Sequence, residues 1–157
     1  MEPITTVTSV AAYVDVLKEM GAVGLQRPFW FRGHSDQDYR LAPSALRNAT
    51  LASNEAVMLK RFMQDAQSFL VDAPADRWQW LFLAQHHGVP TRLLDWTENA
   101  LVALFFACEP TAAPLEGTPR VNGDVWVLLP TRLNVAMNSW SGTHPEDLPM
   151  FGVDATL

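Results

Sequence analysis

The chain has 157 residues, 48% hydrophobic and 18% charged, which suffices to bury a sizeable core and excludes a disordered segment. Its net charge of −6, from 11 Lys and Arg against 17 Asp and Glu, argues against a broad nucleic-acid surface but leaves room for a small anion pocket built from a few arginines. No apolar run reaches the roughly 18 residues of a membrane span, the start Met1-Glu2-Pro3-Ile4 is unlike a signal peptide, and a single cysteine, Cys108, forms no internal disulfide, so the cytoplasm is the expected location.

Val10, Tyr13, Val14, Leu17 and Met20 recur at helical spacing and predict a helix over 7–20, capped by Thr8 or Ser9 and ended by Gly21. Gly21 to Pro28 reads as a loop. Phe29 to Arg32 is a short aromatic strand, stopped by Gly33-His34-Ser35-Asp36. Tyr39 to Ser44 reads as extended or turn. Asn54 is the expected cap of a long helix over 55–71, with Val57, Leu59, Phe62, Met63 and Ala66 on or near one face. A helix over 76–87 carries Trp78, Leu81, Phe82 and Gln85 and ends at Gly88. Val89-Pro90-Thr91 favours extended backbone, and 91–95 is taken as a second short strand. Thr97 is the expected cap of a helix to Cys108. Residues 110–123 are rich in breakers and read as a mobile loop. Asp124 to Leu129 is the clearest strand, stopped by Pro130, and 130–157 reads as a loop-rich tail. The expected architecture is a single α+β domain over 1–157 with its core at 28–129: a small mixed sheet packed with about four helices.

Two polar motifs stand in this apolar sequence: Phe31-Arg32-Gly33-His34, and Gln85-His86-His87-Gly88-Val89-Pro90-Thr91-Arg92-Leu93-Leu94-Asp95-Trp96-Thr97. An arginine behind Trp30-Phe31 is costly to bury unless something anionic meets it. Arg32 is either the bidentate holder of a phosphate or carboxylate, or half of a structural ion pair with an acid such as Asp95. Gly33 admits close approach of a ligand or of backbone. Asp95 pairs with Arg32 or Arg92, orients a histidine, or acts as acid or base. His86 and His87 point about 100° apart on a helix. With neither His-x-x-x-His nor a thiolate pair, no metal site is expected. His87 reads as a pocket donor or proton carrier, or as a helix C-terminal histidine. Arg92 is a second anion contact or a salt bridge. Tyr39 and Trp96 stack on a ring of the ligand or fill the core.

The first motif, then Tyr39, Leu41, Pro43-Ser44, Leu46-Arg47, the second motif, and Ala103 with Phe105-Phe106-Ala107 resemble the FRG domain family over about residues 28–129. The resemblance implies a bacterial or phage protein. A more distant likeness is to arginine-class ADP-ribosyltransferases. These place aromatic-Arg-Gly at the end of an early strand against the pyrophosphate of NAD. A Ser/Thr strand motif, an Ala-x-x-Phe-Ala helix and another strand follow. Phe31-Arg32-Gly33, Asp95-Trp96-Thr97, Ala103 to Ala107 and Asp124 to Leu129 stand in that order here. The late glutamate of those enzymes has no clear counterpart, the late acids being Glu146, Asp147 and Asp154.

The resemblance implies a cleft that takes a nucleotide-type ligand, with NAD as candidate substrate. Arg32, His87 and Asp95 are the expected catalytic groups. Gly33, Tyr39, Gln85, Arg92, Trp96 and Thr97 are the expected binding residues. The competing expectation is a non-catalytic module that binds a protein partner in host–phage conflict.

Overall fold

A computed structural model describes residues 5–22, 29–109 and 121–141. Its contacts gather into two compact units, Met1–Gln37 with Trp96–Leu157, and Asp38–Asp95. Among the described residues the chain is α+β, with five α-helices and one two-stranded antiparallel sheet.

The first unit is built on β1 (Trp30–His34), paired antiparallel with β2 (Asp124–Leu128). Three further elements belong to it: α1 (Val10–Glu19), α4 (Ala100–Cys108) and α5 (Pro130–Ser141). Ser9 caps α1 by accepting from Ala12 N at 3.2 Å. Gly21, at φ +68°, closes it with the paired bonds Gly21 N to Lys18 O and Ala22 N to Leu17 O. Tyr13 and Leu17 of α1, Phe29, Phe31 and Ala103 form the buried core. The Tyr13 hydroxyl donates to Ala100 O at 3.0 Å, and burial pushes its pKa up to about 12.

Gly33 decides how α4 packs. A Cβ on Gly33 would stand 1.9 Å from Ala103 O and 2.7 Å from Ala107 N. A Cβ on Gly123 would stand 2.0 Å from Ala107 O. The two glycines and the small face of α4 let helix and strand backbones meet directly.

The second unit holds α2 (Ala49–Ala66) and α3 (Arg77–His86), with single 3₁₀ turns at Ser44–Leu46 and Gln67–Phe69. Its core is Leu59, Trp80, Leu81 and Ala84, flanked by Phe62, Met63, Leu70, Val89 and Leu93. Asp76 caps α3 by accepting from Gln79 N, and Gln79 returns a bond to Ala75 N, both at 2.8 Å. Gly88, at φ +78°, ends α3 as Gly21 ends α1: Gly88 N donates to Gln85 O and Val89 N to Ala84 O.

Several expectations are corrected. Residues 91–95 form no strand. Side chains take up that segment's backbone donors: Thr91 N donates to Ser44 Oγ, Arg92 N to Glu55 Oε1 and Leu93 N to Thr91 Oγ1. The backbone bridge lies farther on, where Phe31 and Thr97 exchange bonds of 2.7 and 2.9 Å. The long helix starts at Ala49 behind Asn48, not behind Asn54, because its first turns are exposed and carry no apolar signal. Asn99, not Thr97, caps α4, accepting from Leu101 N and Val102 N. Pro130 ends the strand as expected but also opens α5, where a loop-rich tail is expected. The rest of that tail and most of the expected mobile loop, 110–120, lie outside the described residues.

Candidate functional site

Strand alternation sorts the chemistry of the first unit. Phe31 and Gly33 point with Val125 and Val127 into the packed layer against α4. The other face carries Trp30, Arg32 and His34, and the register sets Leu128, Trp126 and Asp124 opposite them. One guanidinium, one imidazole and one carboxylate thus share a sheet face with two tryptophans. Arg32 Nε donates to His34 Nε2 at 3.2 Å. Nδ1 of the same ring lies 3.2 Å from Asp124 Oδ1, too far off axis for a full hydrogen bond. His34 is buried and Asp124 partly so. Burial pushes the Asp124 carboxyl up from its ordinary range, and His34 and the Trp126 indole N–H pull it back.

In the second unit the motif from Gln85 to Asp95 wraps the end of α3. Thr91 is its buried knot, 1% exposed. Thr91 O accepts from Ala45 N at 3.0 Å, and Thr91 Oγ1 donates to Gln85 Oε1 at 2.6 Å. Gln85 Nε2 donates to Asp95 Oδ1. Glu55, buried on α2, accepts from Arg92 N and from the Arg92 guanidinium. That guanidinium holds the Glu55 carboxyl below its ordinary range, and Glu55 in turn raises Arg92.

The expected residues therefore fall into two groups. Arg32, Gly33, Trp96 and Thr97 belong to the first unit. Tyr39, Gln85, His87, Arg92 and Asp95 belong to the second. The structure bonds Gln85 to Asp95 directly, with Thr91 on the other end of the Gln85 amide, and it gives Arg92 to Glu55. Gly33 meets α4 backbone. Thr97 holds the edge of β1, and its Oγ1 accepts from Asn99 N at 3.1 Å. His87 is the exposed C-cap of α3, with its ring beside Phe62 and His86. A shallow groove of about 470 Å³ between Leu70, Asp72, Pro74, Gln79 and Phe82 is lined by none of the expected residues.

The model of the FRG domain matches residues 27–115. This chain belongs to the FRG domain family. The matched stretch runs from β1 to just beyond α4 and takes in both polar motifs. Asp124 and Trp126, which complete the polar face of the FRG strand, lie past it. No curated protein and no solved structure matches the chain.

Three residues of these networks are absent from the expected site. Glu55 has a legible signal, an acid in phase with Leu59, Phe62 and Ala66 on an apolar helix face. His34 stands two residues from Arg32, hence on the same side of a strand, but the strand was expected to stop at Arg32. Asp124 needs the register of β1 on β2, which no local pattern supplies.

Proposed function

We propose that this FRG domain binds a nucleotide-type ligand through Arg32, with NAD the most concrete candidate, and acts on it as an ADP-ribosyltransferase-like domain. One observation carries the reading: Arg32 stands on the sheet face that also holds Trp30, His34 and Trp126, and its Nε donates to His34 Nε2 at 3.2 Å. A guanidinium fork matches the geometry of pyrophosphate oxygens, which it binds in pairs. The packing is in keeping with the motif order: strand, edge bridge at Thr97, helix on Gly33, returning strand. In this reading Trp96, of the same unit as Arg32, stacks on a ring of the ligand.

A second reading, a partner-binding module in host–phage conflict, is favoured by α4. The helix is apolar all round, and Phe105 and Phe106 are 61% and 51% exposed on it.

Thermal unfolding with NAD, ADP-ribose and simple nucleotides separates the two. A ligand at a hundred times its Kd stabilises the folded chain by about 2.7 kcal/mol. The nucleotide reading expects such a gain for at least one of them, lost in Arg32→Ala. No gain from any, or a gain that survives Arg32→Ala, overturns it.

A further inference from the structure

We infer that the groove between the end of α2 and the start of α3 is a docking site for a protein partner, which places an apolar anchor side chain in the groove and a Lys or Arg on its rim. The groove lies wholly within the second unit and shares no residue with Arg32 or α4, so the inference rests on neither reading given above.

The local sequence builds the groove. α2 runs into the 3₁₀ turn Gln67–Phe69, and Leu70 then takes extended backbone. Ala73-Pro74-Ala75 leads on to the Asp76 cap of α3. Leu70 and Leu83 pack on the buried cluster of Leu59, Trp80, Leu81 and Ala84, which fixes two walls of the groove to the core. Phe82 forms another wall and is 59% exposed. Phe69 and Val71, either side of Leu70, are 86% and 99% exposed. Apolar side chains this bare, gathered at a concave site of about 470 Å³, are the setting in which a partner's anchor is desolvated.

Charge selects the occupant. Asp72 lines the groove, is exposed, and has neither an ion pair nor a hydrogen bond among the described residues. The cations of the same region are engaged elsewhere: Arg61 meets Asp65 at 3.5 Å, and the Arg77 charge acts on Glu55. An apolar hollow with one unanswered carboxylate at its edge is complementary to an apolar side chain beside a cation. The net charge of −6 draws basic partners in the same sense. The backbone N–H groups of Val71, Asp72 and Ala73 also lack acceptors among the described residues, and so can donate to a partner's carbonyls.

The test selects binders from a library of random short peptides on the full chain, then titrates a synthetic copy of an enriched peptide by NMR and calorimetry. Enriched sequences are expected to share a large apolar residue beside a Lys or Arg. The titration is expected to shift the amide signals of Val71, Asp72, Ala73 and Phe82. Phe82→Ser and Asp72→Lys change exposed side chains, so both variants should fold, as urea unfolding checks. Phe82→Ser is expected to weaken binding about tenfold or more, as truncation beside a central anchor does. Asp72→Lys is expected to weaken it too, and a peptide with Glu in place of its Lys or Arg recovers affinity for that variant alone. No enrichment, enrichment of acidic peptides, or shifts confined to other residues overturns the inference. So does wild-type affinity in Phe82→Ser, or an Asp72→Lys that fails to reverse the charge preference. Shifts of the same amide signals with protein concentration, in the absence of peptide, would make a second copy of the chain the occupant and overturn it as well.

Discussion

The two polar motifs hold their arginines in opposite ways. In the second unit Arg92 is answered by a buried carboxylate that also takes its backbone N–H, and Thr91 bonds to Ser44 and Gln85. In the first unit Arg32 Nε donates to the His34 imidazole, whose other ring nitrogen faces Asp124. The former closes a turn that has no strand ladder to satisfy it. The latter keeps a cation oriented at a sheet face. Two arginines that look alike in sequence, each near aromatic and apolar neighbours, are thereby set differently: Arg92 on a buried acid, Arg32 Nε on a buried imidazole.

The sharpest way to break this contrast is at Gly33, since the glycine of the first motif is assigned to packing, not to ligand approach. Alanine there meets the main chain of α4 at 1.9 Å, and neither strand nor helix backbone moves cheaply. Gly33→Ala is expected to cost roughly 3 kcal/mol or more in urea unfolding. Its ligand binding should fail only in step with the fold. A Gly33→Ala protein of wild-type stability that has lost ADP-ribose binding would return the glycine to the ligand.

How much of this was legible follows from the range of each signal. Helix periodicity placed α1, α3 and α4 to within a few residues, because Tyr13, Leu17, Trp80, Leu81, Ala103 and Ala107 face their cores at helical spacing. The strand at Asp124 was visible as a short apolar run stopped by Pro130. The stretch from Thr91 to Asp95 was not, since Pro90 dictates extended backbone but says nothing about whether another strand or a ring of side chains will meet it. Pairing with Arg92 was one of several roles open to Asp95. The acid that Arg92 uses lies 37 residues back on α2, a distance no sequence spacing encodes. Arg32 was expected to meet an anionic group; its bond to His34, and Asp124 beside that ring, came only with the register.

Glu55 tests the Arg92 half of the comparison. The neutral Glu55→Gln keeps an oxygen for Arg92 N but loses the ion pair. Arg92 is 60% exposed, so water screens much of the attraction, and a loss of about 1–2 kcal/mol is expected at neutral pH. The pH dependence has a definite sign. Arg92, chiefly through its side-chain hydrogen bond, lowers the folded-state pKa of Glu55 below the ordinary carboxylate value of about 4.3. The unfolded chain therefore takes up the proton first as pH falls. The contribution of Glu55 is complete above the unfolded value and disappears as pH drops through the lower folded one. Urea midpoints of wild type and Glu55→Gln should differ at pH 7 and converge toward pH 3. A gap that stays constant over that interval would mean that Glu55 acts by shape, and the contrast between the two arginines would lose its electrostatic half.

Gly88 sets the lower bound of the scale. It shares the second motif with His87 and Pro90, and it too is a glycine beside a site residue, yet its reason for being glycine differs from that of Gly33. A Cβ on Gly88 meets nothing within 4 Å, whereas its φ of +78° lies in the left-handed region. Only the conformational penalty of an L side chain there remains, about 1 kcal/mol. Gly88→Ala should thus lower stability by about that much with an unchanged urea dependence, and Gly88→Asn by less, since asparagine tolerates this backbone better. The ligand affinity of both should match wild type, because neither substitution alters the Schellman bonds that carry the chain from α3 into Val89. A cost for Gly88→Ala as large as that of Gly33→Ala would mean that the side chain meets an obstacle. The second motif would then be a packed interface at its glycine as well, and the difference between the two regions would narrow to their arginines.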